Sequence, residues 1–121
     1  MTGAVSEIGG VRAYVCDGSG PPIASDREAA DIVGEALGHG APLVVIPLAR
    51  LGPEFLDLKT GLAGAVLQKF VNYQIQVAIV GDISAHVARS APLRAFVEES
   101  NRGRAVWFAA TAADLEARLA G

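Results

Sequence analysis

Apolar and polar residues along this chain fall into short blocks whose period switches between two and the helical value. Residues 5–8 and 11–15 are strand-like runs flanking Gly9-Gly10, and two residues of that type between strands signal a tight hairpin. The run Asp17-Gly18-Ser19-Gly20-Pro21-Pro22 reads as a turn. Ser25 and Glu28 have capping-box spacing, so hydroxyl and carboxylate can satisfy free backbone N–H groups at a helix start. Ala29, Ile32, Val33, Ala36 and Leu37 continue that helix until Gly38-His39-Gly40.

Residues 43–46 form a continuous apolar run, the pattern of a strand covered on both faces. Gly52-Pro53-Glu54-Phe55 predicts a short turn or helix, and a second main helix is expected from about Thr60 to Val71. Residues 75–80 predict another buried strand that stops at Gly81-Asp82. Pro92 suits the first turn of a third helix, ended by Asn101-Arg102-Gly103. Residues 105–109 give a last strand, and Thr111 caps a final helix through Leu119. The predicted order is β-β-α-β-α-β-α-β-α: one α/β domain over residues 1–121, with four helices, a mainly parallel sheet and an antiparallel edge strand.

Composition narrows the class. Hydrophobic residues make up 51% of the 121 and charged residues 19%, enough apolar material for a sizeable core. The longest apolar runs fall far short of the roughly 20 residues of a membrane helix. The first ten residues show neither a basic start nor an apolar signal core, so no secretory leader is expected and the cytoplasm is the expected compartment. The single cysteine, Cys16, cannot form an internal disulfide and reads as a buried strand residue. The net charge is −3, and Arg89, Arg94, Arg102 and Arg104 are interspersed with Asp82, Glu98 and Glu99. That is the pattern of a solvated face, so neither nucleic acid nor a membrane is an expected partner.

Candidate chemistry follows from the topology. In a parallel sheet the carboxyl ends of the strands and the amino ends of the following helices share one edge, where ligands usually bind. Asp26, Asp57, Lys59, Thr60, Asp82, Ser84 and Thr111 are expected on that edge. A helix starting near Thr60-Gly61 would offer free N–H groups to an anion, Lys59 would add a positive charge, and Gly61 and Gly64 would permit close approach. The structural alternative is that Thr60 is an N-cap and the glycines serve helix packing. The Gly-Lys-Ser/Thr order of a Walker loop is absent. Asp82, Ser84 and His86 are the residue types of a hydrolase triad, but their alternate spacing argues against one. Glu98 and Glu99 read as a solvated helix end, the alternative being that one of them contacts a partner. His39, His86 and Cys16 have no metal-ligand spacing, and no catalytic set, metal or cofactor is suggested. The stretch from Leu62 to Tyr73 is apolar on nearly every side, which predicts burial or a homodimer interface.

The run from Leu51 to Gly64, then Val66 to Tyr73, Ala78 to Asp82 and Leu93 to Asn101, resembles a bacterial family known as domain of unknown function 4180. The resemblance spans nearly the whole chain. It implies a small stand-alone bacterial domain and assigns it no activity. A second, fold-level resemblance is to STAS domains, the anti-sigma factor antagonists. It implies that a Ser or Thr at the start of the second helix is phosphorylated by a partner kinase. Thr60 would be the acceptor here, although Asp57 and Thr60 are three apart where that family has a contiguous pair.

Three functions follow. The favoured one is a non-enzymatic regulatory module that binds a protein or small anionic ligand at Asp57 to Gly64, with Phe55, Asp57, Lys59, Thr60, Gly61, Gly64, Asp82 and Ser84 as its candidate contacts. The others are a small enzyme for a phosphorylated or carboxylated substrate, and a structural homodimer joined through Leu62 to Tyr73.

Overall fold

The computed structural model describes residues 3–121. Met1 and Thr2, which open the stretch read for a leader, lie outside the described residues. Strands β1 (Gly3–Ile8) and β2 (Val11–Cys16) form the expected hairpin, with Ile8 opposite Val11. Gly9 and Gly10 take φ of 56° and 85°, the left-handed pair that a two-residue turn of this hand requires. Strands β3 (Leu43–Pro47), β4 (Gln76–Val80) and β5 (Val106–Ala109) add on in parallel, and the sheet runs β1-β2-β3-β4-β5.

Sequential order makes the connecting helices pack on one face. Helices α1 (Asp26–Gly38), α3 (Leu62–Asn72) and α5 (Ala91–Arg102) cover the side bearing Tyr14, Cys16, Val44, Ile46, Val77, Ile79 and Val106. Strand alternation sends Ala13, Leu43, Val45 and Ala78 to the opposite face. Leu115 and Leu119 of α6 (Ala112–Ala120) close that face. The centre of the main core is Val66 and Phe70 of α3 against Val44 and Val77, all fully buried. Each such side chain contributes about 1.5–3 kcal/mol.

Four helices were expected, and the described residues form six α-helices. The additions are α2 (Pro53–Leu56), where the sequence allowed a short turn or helix, and α4 (Ser84–Arg89), which it did not announce. The capping box of α1 is half formed. The Ser25 hydroxyl accepts from the Glu28 N–H at 3.3 Å, but the Glu28 carboxylate reaches the N–H of Ala24 at 3.1 Å, one residue further out. Helix α3 begins two residues later than predicted. Thr60 belongs to a 3-10 turn, Leu58–Thr60, and the N-cap is Gly61 at φ 76°. Among the described residues, no helix is long and apolar enough to cross a membrane.

Candidate functional site

The carboxyl edge of the parallel strands carries four loops, at residues 17–25, 48–61, 81–83 and 110–111. The first two are locked together by Arg50, the charged residue that the sequence reading passed over. Its side chain is 4% exposed. Nε donates to the Pro21 carbonyl at 2.6 Å and Nη1 to the Asp17 carbonyl at 2.9 Å. The backbone closes the same junction, with the Ile23 N–H donating to the Arg50 carbonyl at 2.8 Å. Gly20 lies against the guanidinium, where an added Cβ would stand 2.8 Å from Cζ and Nη1. Asp17 does not pair directly with the arginine. The backbone N–H of Ser19 and then its hydroxyl hold the Asp17 carboxyl below the usual range.

The central loop holds the residues on which the sequence argument concentrated. Asp57 accepts from the Lys59 N–H at 3.2 Å, as an Asx turn does. The Thr60 hydroxyl donates toward the Glu54 and Asp57 carbonyls, at 2.7 and 2.9 Å, and accepts from the Leu62 N–H at 3.2 Å. Its one donor and one of its two acceptor positions are therefore engaged locally, although the residue itself is exposed. Gly61 and Gly64 are exposed, and a Cβ built on either meets nothing within 4 Å. Close approach explains neither glycine; Gly61 is explained by its positive φ. Phe55 is 1% exposed and belongs to the core, where it also lines a crevice of about 220 Å³ with Ile23 and Leu62.

The remaining predicted residues separate. Asp26 forms an ion pair with Lys69 of α3 at 3.8 Å. Thr111 caps α6 by accepting from the Asp114 N–H at 3.1 Å. Asp82 and Ser84 stand together where β4 runs into α4. Ser84 donates its N–H to the Asp82 carboxylate at 2.9 Å, and its hydroxyl and N–H together hold that carboxyl below the ordinary range. His86 sits half-buried inside α4 rather than in a loop, and among the described residues its side chain hydrogen-bonds to neither Asp82 nor Ser84. The three do not form a triad.

Asp82 and Ser84 do line a cleft. It has a volume of about 420 Å³ and lies at the carboxyl ends of β4 and β5. Ile83, Val87, Val97 and Phe108 make its walls apolar. Asp82, Ser84, Arg94 and Glu98 supply its polar groups. The cleft exists because this corner packs loosely: among the described residues, α4 buries none fully and α5 buries only Leu93. Arg94 and Glu98 have the i,i+4 spacing of a helix ion pair, yet the ion pairs among the described residues are Asp26–Lys69 and Glu99–Arg102. Both groups are left to face the cleft. The sequence signal for this site was the Arg94-x-x-Val97-Glu98 spacing, which places an apolar and two charged residues on neighbouring faces of one helix.

The family model described as domain of unknown function (DUF4180) matches residues 8–119. No curated protein and no solved structure matches the chain.

Proposed function

The chain belongs to the DUF4180 family, and from that premise we propose that it is a non-catalytic module that binds a small molecule in the cleft between α4, α5 and the ends of β4 and β5. The observation carrying this reading is the cleft itself: about 420 Å³, apolar walls, and a few polar groups at the sheet edge where α/β domains bind ligands. The ligand class follows from the lining. An apolar body would fill the space between Val87, Val97 and Phe108. A single anionic group would meet Arg94, and Glu98 one turn away would disfavour a head group of higher charge. This reading keeps the carboxyl edge that the sequence analysis favoured and centres the proposed site on Asp82 and Ser84 rather than on Asp57–Gly64.

The test uses anilinonaphthalene sulfonate, an apolar fluorophore with one negative charge. Saturable enhancement at one probe per chain is expected, weakened severalfold by Arg94→Glu and lost when Ala110→Trp fills the mouth of the cleft. Circular dichroism of each variant separates a blocked site from a misfolded chain. Enhancement indifferent to both substitutions would reject the proposal.

A STAS-like switch is a second reading, favoured by the exposure of Thr60 immediately before α3. Phosphorylation there would add about two negative charges near a helix amino terminus and break the hydroxyl's bonds to the Glu54 and Asp57 carbonyls. Phosphate on Thr60 in protein from a native source would support it. Unmodified Thr60, with a Thr60→Glu variant indistinguishable from wild type in amide spectra and partner binding, would reject it.

A further inference from the structure

At the opposite, amino edge of the sheet lies a second cavity, of about 880 Å³, lined by Arg102, Arg104 and Arg118 beside Trp107, Val11 and Leu119. Three of the chain's ten basic residues meet around this one cavity in a protein of net charge −3; no Asp or Glu side chain lines it, and the one carboxylate at its rim is that of Gly121. Their combined positive potential would favour an anion placed among them, although exposure to solvent screens it.

Their hydrogen bonds leave that role open. Arg118 donates to the Asn101 carbonyl and lies over the Trp107 indole, 3.9 Å from the ring centroid. Trp107 is itself fixed, its Nε1 donating to the Gly103 carbonyl at 2.8 Å. Arg118 is thus oriented by a cation–π contact and one hydrogen bond, with its other N–H groups uncommitted among the described residues. Arg102 shares one N–H with Glu99 at 2.8 Å, and that pair is 70% and 78% exposed, so it is weak. Arg104 makes neither a side-chain hydrogen bond nor an ion pair among the described residues. Guanidinium forks match the oxygens of phosphate and carboxylate groups two at a time.

We infer that this cavity binds a small molecule carrying two or more phosphate or carboxylate groups, with Arg118 as the fixed anchor and Arg102 and Arg104 closing on it. The ligand class differs from that of the cleft at the carboxyl edge, which offers a single arginine and an apolar wall. The inference does not depend on the function proposed for that cleft.

Calorimetric titration of the full chain with pyrophosphate and with citrate tests it. One of the two should bind with a dissociation constant below about 1 mM, and the tighter one identifies phosphate or carboxylate as the recognised group. Arg104→Ala, an exposed and unpartnered position, should weaken binding about tenfold. Arg89→Ala, an exposed arginine outside the cavity, should leave it unchanged. Affinity should fall with added salt, as exposed charges are screened. Binding of neither anion, or equal loss in the Arg104 and Arg89 variants, would overturn the inference.

Discussion

Replacing Arg50 by Met keeps most of the buried stem and removes the two donors that join residues 17–22 to the end of β3. Each bond runs from a charged donor to a carbonyl at 2.6 or 2.9 Å, and such bonds contribute about 1.5–3 kcal/mol apiece. Two effects offset the loss. Burying a guanidinium without a carboxylate has a desolvation cost of several kcal/mol, which Met does not incur. Asp17 and Pro21 are exposed, so their carbonyls regain water. The net expectation for Arg50→Met is a loss of about 1–3 kcal/mol in urea unfolding followed by circular dichroism. Arg50→Lys should recover less than half of it, because one ammonium cannot reproduce a fork to two carbonyls. Gly20→Ala would press a methyl group onto the guanidinium, so its penalty should be large with Arg50 present and shrink in the Arg50→Met background. An Arg50→Met protein within about 0.5 kcal/mol of wild type, or a Gly20→Ala penalty indifferent to residue 50, would refute the reasoning.

Three further outcomes are expected. A Cβ at Gly81 would stand 2.4 Å from the Cβ of Leu48, so Gly81→Ala should cost about 2–4 kcal/mol, and Leu48→Gly, which removes that Cβ, should lessen the penalty of Gly81→Ala in the double variant; additive losses in urea unfolding would contradict the contact. Burial pushes the Cys16 thiol up to about 11, only partly countered by the charge of Arg50. The thiol should therefore resist a disulfide reagent at pH 8 until the chain unfolds, and the stability linked to it should be complete below its ordinary value of 9.0 and decline as pH rises toward 11; rapid native-state labelling would contradict this. Asn101 covers the outer edge of β5 by accepting from the Phe108 N–H at 2.8 Å. Asn101→Ala should cost about 1 kcal/mol and speed amide exchange at Phe108; unchanged exchange there would show that the side chain does not protect the edge.

What could be read from the chain was whatever local chemistry decides. Gly9-Gly10 specified a hairpin because few other dipeptides take two positive φ values. Residues 43–46 specified a strand because both its faces are covered. Pro92 sits in the first turn of α5, and Thr111 caps α6 through its own hydroxyl. The start of α3 was misread because Thr60 has a capping side chain but spends it inside a 3-10 turn, leaving Gly61 to begin the helix. Helix α4 was missed because Gly81-Asp82 announces a turn and the six residues after Ile83 bury too little to show a period. The candidate residues were each placed on one edge by strand order, but order alone does not reveal which side chains are consumed by caps. Asp57, Thr60 and Thr111 are so consumed, while Arg94 and Glu98 were assigned to solvent because the loose packing of α5 is a tertiary property. Arg50 gave no signal, since its partners are backbone carbonyls that any residue provides.

The central claim, that the binding site lies between α4, α5 and the ends of β4 and β5, is tested most directly by mapping amide chemical shifts during titration with anilinonaphthalene sulfonate. Saturating shifts concentrated at residues 81–84, 94–98 and 108–110 are predicted, with the 57–61 turn unmoved. Largest shifts at the 57–61 turn, or shifts that never saturate, would contradict it.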